Sequence, residues 1–239
     1  DEVFVGFRLA PGGAQQYFGV QADMVCYGKT LGGGLPVGVV CGKRDLMRRF
    51  DPQRPADLCF ARGTFNAHPY VMGAMNAFLH ALHSPAVQAM YEGLDARWSG
   101  HARRFNQALA QAGYPVRVEA LSTIWTLTYT QVGCYHWMLQ YYLRDQGLAL
   151  SWVGTGRMVF NLSYTDPDME AVLRRLLAAC EAMRQDGWWW QGPALNRGRV
   201  ARRLLREMVS ARLGLVSWAG APDPSTRPAA DAAEPCGRA

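Results

Sequence analysis

The sequence predicts an α/β fold, because short apolar segments with strand character alternate with segments of helical period. Two of the strand-like segments, at 24–26 and 37–40, are separated by glycine-rich turns of the kind that approach a ligand closely. Of the 239 residues, 49% are hydrophobic and 18% are charged, which is the balance of a soluble globular protein rather than a disordered one. This length allows one large domain or two small ones.

The first predicted domain covers residues 1–84. Asp1, Glu2 and Val3 read as the end of a strand, and the apolar segments at 24–26 and 37–40 follow it. Residues 66–84 predict a core helix, because apolar side chains recur about every 3.6 positions and Pro69 suits its first turn.

A second, small α/β domain is predicted at 85–187. Pro85 breaks the chain, after which 86–111 predicts one long amphipathic helix closed by Gly113. Asp166 is expected to cap the last helix of this domain. The remaining predicted elements are strands at 116–119, 124–129 and 158–163 and helices at 135–146 and 166–183.

Residues 188–215 predict a helical extension rich in tryptophan and arginine, with Val200, Leu204, Leu205, Met208 and Val209 on one face. The stretch from Arg184 to Arg212 contains seven arginines and two acidic residues, so it contributes +5 to the formal net charge of +6. A solvated face or a dock for an acidic partner is a commoner reason for such charge than nucleic-acid binding, and no recognition fold accompanies it. The composition of 216–239 predicts a disordered tail.

Several classes of protein are excluded by pattern. No apolar run approaches the length of a membrane span, and the first residues lack the basic flank of a signal peptide. The six cysteines lie far apart without a CxxC pair, so we expect reduced thiols, no disulfide framework and no zinc. His68 and His136 have no partner at metal-ligand spacing and are expected to be structural or interface residues. We therefore expect a cytoplasmic protein without a metal, a membrane partner or a nucleic-acid partner.

The strongest chemical signal is a lone lysine, Lys29, between a predicted strand and the glycines at 32–34. A lysine that forms a Schiff base must approach a flat cofactor and remain partly unprotonated, which glycine backbone permits and partial burial promotes. A turn whose lysine is merely solvated is an equally good interpretation of these residues alone. The Walker A pattern does not match, because the lysine precedes the glycines.

Two weaker signals flank this lysine. An aspartate at position 1 can pair with a protonated pyridine nitrogen, and Val3, on the same face of an extended chain, can pack on that ring. Gly63 and Thr64 precede a predicted helix, where a hydroxyl and free backbone N–H groups suit a phosphate. Taken singly, an ordinary acidic strand end and a helix cap at Thr64 or Asn66 explain these residues better.

Together these motifs resemble the class III, fold-type I aminotransferases that use pyridoxal 5′-phosphate, and most closely the branch of glutamate 1-semialdehyde 2,1-aminomutase. The order and spacing of several short motifs carry the resemblance: Asp1-Glu2-Val3, Gly6-Phe7-Arg8, Pro11-Gly12-Gly13-Ala14-Gln15, Tyr17-Phe18-Gly19-Val20, Asp23-Met24 and Gly28-Lys29. It is strong over 1–84 and looser over 85–185. The stretch from Gly63 to Pro69 looks like aminotransferase domains of secondary-metabolite biosynthesis.

The resemblance implies a role for each candidate residue. Lys29 would form the Schiff base with pyridoxal phosphate and then shuttle protons. Asp1 would hold the pyridinium nitrogen, and Val3 would pack on the ring. Thr64, with Gly63, would bind the cofactor phosphate of a neighbouring subunit, since family members form dimers with shared sites.

The resemblance also implies that the chain is the C-terminal half of such an enzyme: the rest of the large cofactor domain plus the small α/β domain. In the family, the N-terminal half supplies a phosphate cup, a ring-stacking aromatic residue and substrate contacts. Whether this half binds the cofactor alone is therefore open, and a truncated half-protein that acts as an interaction module is the competing hypothesis.

The substrate is the least determined feature. Arg157 could clamp a carboxylate through a bidentate pair, although a solvent-exposed arginine or one paired with Asp166 or Asp168 is the commoner case. Arg8, near the cofactor strand, is a further candidate. The expected partners are a small-molecule amino donor and a carbonyl acceptor. Intermolecular transamination and intramolecular migration of the amino group are both compatible with the site.

Overall fold

A computed structural model describes residues 1–56, 59, 63–133, 135–150, 156–189 and 196–213 of the chain. Two compact units are present. The first unit comprises Asp1–Ala108, Val118–Leu127 and Arg157–Met169, and the second comprises Leu109–Arg117, residues 128–156 and the chain from Glu170 onward. The predicted tail at 216–239 lies outside the described residues, so its disorder stays a prediction.

Eight α-helices and five strands are assigned in the described ranges. In chain order they are α1 (Gly13–Phe18), β1 (Met24–Gly28), β2 (Gly38–Gly42), α2 (Arg44–Met47), α3 (Pro69–Leu82), α4 (Pro85–Tyr91), α5 (Leu94–Gln111), β3 (Val116–Leu121), β4 (Ile124–Tyr129), α6 (Leu139–Asp145), β5 (Arg157–Val159), α7 (Asp166–Gln185) and α8 (Arg197–Arg212). Two 3₁₀ turns, Lys29–Gly32 and His136–Met138, precede β2 and α6. This mixture of helices and sheets confirms the predicted α/β character.

The first sheet is an antiparallel pair of β1 and β2, so both apolar segments predicted as strands form strands. Met24 lies opposite Gly42, and Gly28 lies opposite Gly38. The pairing ends at Gly28, so the chain leaves the sheet at the residue before Lys29. The sheet therefore fixes the position of the backbone that carries the candidate lysine.

Residues 1–3 do not form the predicted strand end. The Glu2 N–H donates to the Cys26 carbonyl at 2.8 Å, which aligns this residue with β1. The chain then turns, because the Gly6 N–H donates to the Glu2 carbonyl at 2.9 Å and the Arg8 N–H donates to the Val5 carbonyl at 3.1 Å. One ladder hydrogen bond is therefore made where a strand would make several.

The predicted long helix at 86–111 is wrong, because two helices occupy this range. α4 is capped by the Ser84 hydroxyl, which accepts the Val87 N–H at 3.4 Å. Gly93 then adopts a left-handed φ of +62°, a conformation that glycine reaches without a Cβ clash. α5 starts directly after it, and its predicted end at residue 111 is confirmed.

The second sheet has the strand order β3-β4-β5, with Ile124 of β4 opposite Val159 of β5. β5 stops short of the predicted strand at 158–163, since the Asn161 Oδ1 accepts the Ser163 N–H at 2.9 Å and turns the chain. Asp166 is not the cap of α7. The Thr165 N–H donates to Asp168 Oδ2 at 2.8 Å, and the Asp168 N–H donates to the Thr165 hydroxyl at 3.4 Å, which is a capping box.

Aromatic rings fill the core of the first unit. The Trp125 ring lies edge-on to Trp98, Phe105 and Phe160, with centroids 6.0, 5.0 and 5.0 Å away. Its indole N–H donates to the Ser122 carbonyl at 2.9 Å, so the buried polar group is satisfied. This cluster joins α5 to β4 and to the residue after β5.

In the second unit, Leu176, Cys180 and Met183 on one side of α7 are buried. The predicted helix at 135–146 begins as the 3₁₀ turn and continues as α6. Trp189 packs inside this unit, because its indole N–H donates to the Cys180 carbonyl at 3.0 Å. None of the helices in the described ranges has both the length and the apolarity to cross a bilayer.

Candidate active site

Lys29 is the first residue after β1 and begins the 3₁₀ turn Lys29–Gly32, which Gly33 caps. Its φ of +46° lies in the left-handed region that non-glycine residues rarely adopt, and such strained positions concentrate at functional sites. The side chain is exposed in this chain. The described residues therefore do not bury the Lys29 side chain, and the partial burial expected from the sequence is not present among them.

Only two lysines occur in the chain, and their environments differ. The Lys43 ammonium forms an ion pair of 2.5 Å with Asp23, and this partner raises the pKa of Lys43. No carboxylate lies within ion-pair distance of Lys29 in the described part of the chain. Lys29 is thus the lysine whose amine is available for another group.

Val3 packs against the backbone directly before Lys29. A Cβ built on Gly28 would lie 3.1 Å from Val3 Cγ1 and 3.1 Å from the Val37 carbonyl oxygen, so only glycine fits there without displacement. Asp1 is exposed, and its Oδ1 accepts the Val3 N–H at 2.8 Å. The structure therefore brings Val3, with Asp1 beside it in the chain, to the strand end that carries Lys29.

Glu2 is a residue that the sequence left without a role. Its side chain is 4% exposed, and its two carboxylate oxygens accept the N–H groups of Ala14 and Gln15 at 2.6 and 2.9 Å. These N–H groups belong to the first turn of α1, where backbone donors lack helical partners and the helix dipole favours a negative charge. Glu2 therefore ties the Asp1–Val3 segment to α1.

We expect Glu2→Gln to destabilise the protein by about 1–3 kcal/mol, because an amide cannot accept both N–H groups and leaves one buried donor unsatisfied. Urea unfolding measures this loss. Glu92→Gln is the matched control, since the Glu92 side chain is exposed. Equal midpoints for the two variants would contradict the assigned role of Glu2.

Three cations converge on the ring of Phe4. The Arg157 guanidinium carbon lies 5.0 Å from the ring centroid, that of Arg8 5.6 Å, and the Lys29 ammonium 5.7 Å. These distances lie within the range of cation–π attraction. The structure therefore brings together three candidate residues that are far apart in the sequence, around an aromatic residue that sequence reasoning missed.

Among the described residues, no aspartate or glutamate forms an ion pair with a member of the cationic cluster, which consists of Lys29, Arg8 and Arg157. Asp166 instead lies 3.4 Å from His101, and Asp168 caps α7, so the two expected partners of Arg157 are engaged elsewhere. Partial burial lowers the pKa of the Arg8 guanidinium, although an arginine stays charged at neutral pH. An anion from outside this chain segment would neutralise the cluster.

A cavity of about 210 Å³ lies beside the cluster and is mainly apolar. Thr30, the residue after Lys29, and Arg8 form part of its wall. The Thr123 hydroxyl, on another wall, is buried and has no hydrogen-bond partner in the described part of the chain. The other lining residues are Phe7, Phe78, Ala81, Leu82, Val87, Tyr91, Phe160, Asn161 and Leu162.

Gly63 and Thr64 lie in an exposed turn before α3. The Asn66 N–H donates a hydrogen bond of 3.1 Å to the Gly63 carbonyl and closes this turn. The expected helix cap at Thr64 or Asn66 is not formed, because His68 is the cap residue and makes no side-chain capping bond. No hydrogen bond or ion pair within the described ranges joins this turn to Lys29. Arg62 lies outside the described residues, as do Ser151 to Thr155.

The two singled-out histidines have aromatic surroundings. His136 stacks on Tyr129 at 4.2 Å, and burial lowers the pKa of its imidazole. His68 lies 5.5 Å from the ring of Tyr70. No group of three metal-ligating side chains occurs in the described ranges.

Comparison with protein families matches residues 1–180 to the model for aminotransferase class-III. A glutamate-1-semialdehyde 2,1-aminomutase of Nitratidesulfovibrio vulgaris (strain DP4) is 33% identical over 185 residues, which cover 72% of this chain and 42% of that protein. The same enzyme of Desulforudis audaxviator (strain MP104C) is 42% identical over 118 residues, which cover 49% of this chain and 26% of that protein. The chain thus spans less than half the length of the curated relatives it matches.

Solved structures give the same comparison at the level of the fold. An omega-transaminase from Sphaerobacter thermophilus superposes with a TM-score of 0.65 and 25% identity, over 77% of this chain and 44% of that one. A β-phenylalanine aminotransferase from Variovorax paradoxus gives a TM-score of 0.63 and 25% identity, over 78% of this chain and 44% of that one. The predicted fold, part of a fold-type I transaminase, is confirmed.

Proposed function

The chain belongs to the class III aminotransferase family, and from this premise we propose that it supplies the lysine-bearing part of an enzyme that moves an amino group with pyridoxal 5′-phosphate. The observation that carries the proposal is the placement of Lys29 after β1, with Val3 against Gly28, inside the range that the family matches. Amino transfer between two molecules and migration within one molecule both belong to this proposal.

The residues present fit pyridoxal phosphate. Lys29 offers an amine without a described ion pair, next to backbone that Gly28 leaves bare of a side chain. Asp1 offers a carboxylate for the ring nitrogen, and Val3 an aliphatic surface for the ring. We propose that Lys29 holds the cofactor through its aldehyde carbon, that Asp1 and Val3 orient the ring, and that Gly63 and Thr64 bind a phosphate.

Pyridoxal phosphate, when bound, stabilises the electron pair left on a substrate carbon that loses a proton next to the amino group. The chain provides the group that moves this proton. Lys29 Nζ would take it from the substrate carbon and return it at the new position, as a general base and then a general acid. Asp1 would keep a positive charge on the ring nitrogen by pairing with it.

The cationic cluster supports a substrate that carries a carboxylate. Arg157 and Arg8 lie on one aromatic ring with Lys29, and both guanidinium groups can make paired hydrogen bonds to a carboxylate. The Arg8 Nε already donates to the Phe4 carbonyl at 2.9 Å, which holds the arginine in place. We propose Arg157 as the main carboxylate contact and Arg8 as its support.

We expect Arg157→Gln to raise the KM for a carboxylate-bearing donor about tenfold or more while kcat changes less, since a lost charged hydrogen bond is worth about 1.5–3 kcal/mol. An amine donor without a carboxylate should show little change. Steady-state kinetics with L-alanine and with 1-phenylethylamine measure the difference. Arg103→Gln, an exposed arginine on α5, is the matched control.

Family members share sites across dimers, and we propose the same here: Thr64 of one chain would serve the cofactor of a second copy. The absence of a hydrogen bond between the Thr64 turn and Lys29 in the described part of one chain agrees with this arrangement. We also propose a cytoplasmic location, with a small-molecule amino donor and a carbonyl acceptor as partners, and a role in secondary-metabolite biosynthesis.

An amino-transfer assay tests the proposal. The chain is supplied with pyridoxal phosphate, alone and joined after the N-terminal part of the Nitratidesulfovibrio vulgaris relative. We expect cofactor-dependent formation of an amine product in at least the joined form. Glutamate 1-semialdehyde alone tests migration within one molecule, and alanine with a ketone acceptor tests transfer. No cofactor-dependent product from either set, with both forms folded, would contradict the proposal.

A further inference from the structure

The helix α8 lies beyond the range that the aminotransferase family matches, which ends at residue 180. It starts sharply, because the Asn196 side chain accepts the Arg199 N–H at 2.9 Å and caps the first turn. It is 16 residues long. The proposed amino-transfer site uses none of its residues, so the helix needs a separate explanation.

One side of α8 is apolar and faces solvent. Leu204 and Met208, one turn apart, are 54% and 66% exposed, and Leu205 beside them is 61% exposed. Val209, one turn beyond Leu205, is also exposed and borders this surface. An apolar stripe on a surface helix normally packs on the core, and here it is uncovered.

The other side of α8 is strongly basic. The helix contains six arginines and one acidic residue, Glu207, so residues 197–212 carry a formal charge of +5. Arg199, Arg202 and Arg206 recur at intervals of three and four, which places them on one stripe opposite Leu204 and Met208. This arginine stripe and the surface of Leu204 and Met208 therefore lie on opposite sides of the helix, while Arg197 and Arg212 stand at its two ends.

We propose that α8 lies flat on an anionic lipid surface, with Leu204, Leu205 and Met208 below the headgroups and its arginines among the lipid phosphates. Helices that bind in this plane have an uncovered apolar face and a basic polar face, and they need no membrane-spanning length. The expectation of no membrane partner rested on the absence of an apolar span, which does not bear on this mode of binding.

The composition of the apolar face favours lipid over a protein groove. Its described members are leucine, methionine and valine, without the tryptophan or tyrosine that anchors most protein interfaces. A fluid lipid surface needs no matching pockets, and its phosphates complement the charge of +5. Trp188 and Trp189 are engaged within the second unit, by the Tyr135 ring and the Cys180 carbonyl, and so are not the anchors of this surface.

Sedimentation of the full chain with lipid vesicles tests the proposal. We expect binding to phosphatidylcholine vesicles with 30% phosphatidylglycerol and no binding to pure phosphatidylcholine. Each arginine near an anionic surface contributes about fivefold in affinity, so Arg202→Gln with Arg206→Gln should weaken binding about 25-fold. Arg103→Gln with Arg174→Gln removes the same charge from exposed positions on α5 and α7 and should change it little.

A second variant tests whether the apolar side chains of α8 contribute to vesicle binding. Leu204→Gln with Met208→Gln keeps helix propensity, which circular dichroism verifies, and should weaken vesicle binding at least tenfold. Unchanged binding of this variant would overturn the proposal, because attraction would then be electrostatic only. Self-association of the chain that this variant abolishes, without vesicle binding, would overturn it in favour of an interface between copies. Equal binding to both vesicle types would also overturn it.

Discussion

Replacing Lys29 with alanine will reduce amino transfer by at least 10²–10⁴-fold, the range that positioned proton transfer contributes to enzyme rates. The loss should fall on kcat, because the amine acts on the reacting carbon and not on the distant parts of the substrate. Lys29→Arg should be equally inactive, since a guanidinium does not give up its proton at neutral pH. Steady-state rates of the variants are compared in the form of the protein that is active, either the chain alone or the chain joined after the N-terminal part of the relative.

The chain offers an unusually clean control for this prediction. Lys43 is the only other lysine, and it lies in an exposed ion pair with Asp23. Lys43→Ala removes the same side chain and charge and should leave turnover within about twofold, since exposed ion pairs contribute little. Turnover of Lys29→Ala near that of the unsubstituted enzyme would show that the role proposed for Lys29 is wrong.

Trp125→Ala will destabilise the protein by about 3–5 kcal/mol, the usual cost of removing a fully buried aromatic side chain. The substitution leaves a cavity between three other rings and deprives the Ser122 carbonyl of its donor. This loss is a large part of the stability of an ordinary domain, so much of the variant should be unfolded. Denaturant unfolding, followed by circular dichroism, measures it.

Trp137→Ala is the matched control for the core prediction. Trp137 is 52% exposed, so the same truncation there removes little buried surface and should cost less than about 1 kcal/mol. A Trp125→Ala variant as stable as Trp137→Ala would mean that the aromatic cluster does not form the core of the first unit.

Local signals in the sequence predicted the elements that depend on local chemistry. β4 begins and ends where its β-branched and aromatic residues predict, and α7 runs two residues beyond its predicted end. The prediction of a single long helix at 86–111 was wrong at Gly93. The apolar period continues across this residue, but its backbone adopts a left-handed conformation that ends one helix before the next begins. The spacing of apolar residues shows which face of a helix is apolar, but it does not show whether the helical backbone continues without a break.

The candidate site shows the same limit at longer range. Lys29, Asp1 and Val3 were recognised from motifs, whereas Phe4 was missed because nothing local marks a ring on which distant cations converge. Glu2 was missed for a related reason: its partners are the first N–H groups of α1, a six-residue helix among glycines that no periodicity predicts. Contacts of this kind appear only once the chain is folded.

Covalent trapping of the cofactor tests the central claim most directly. The protein is incubated with pyridoxal phosphate, alone and in the joined form, and borohydride then fixes the cofactor on the amine that holds it. Peptide mapping by mass spectrometry locates the modification, and two lysines make the assignment simple. We predict modification at Lys29. Modification at Lys43 instead, or none in either folded form, would contradict the proposed site.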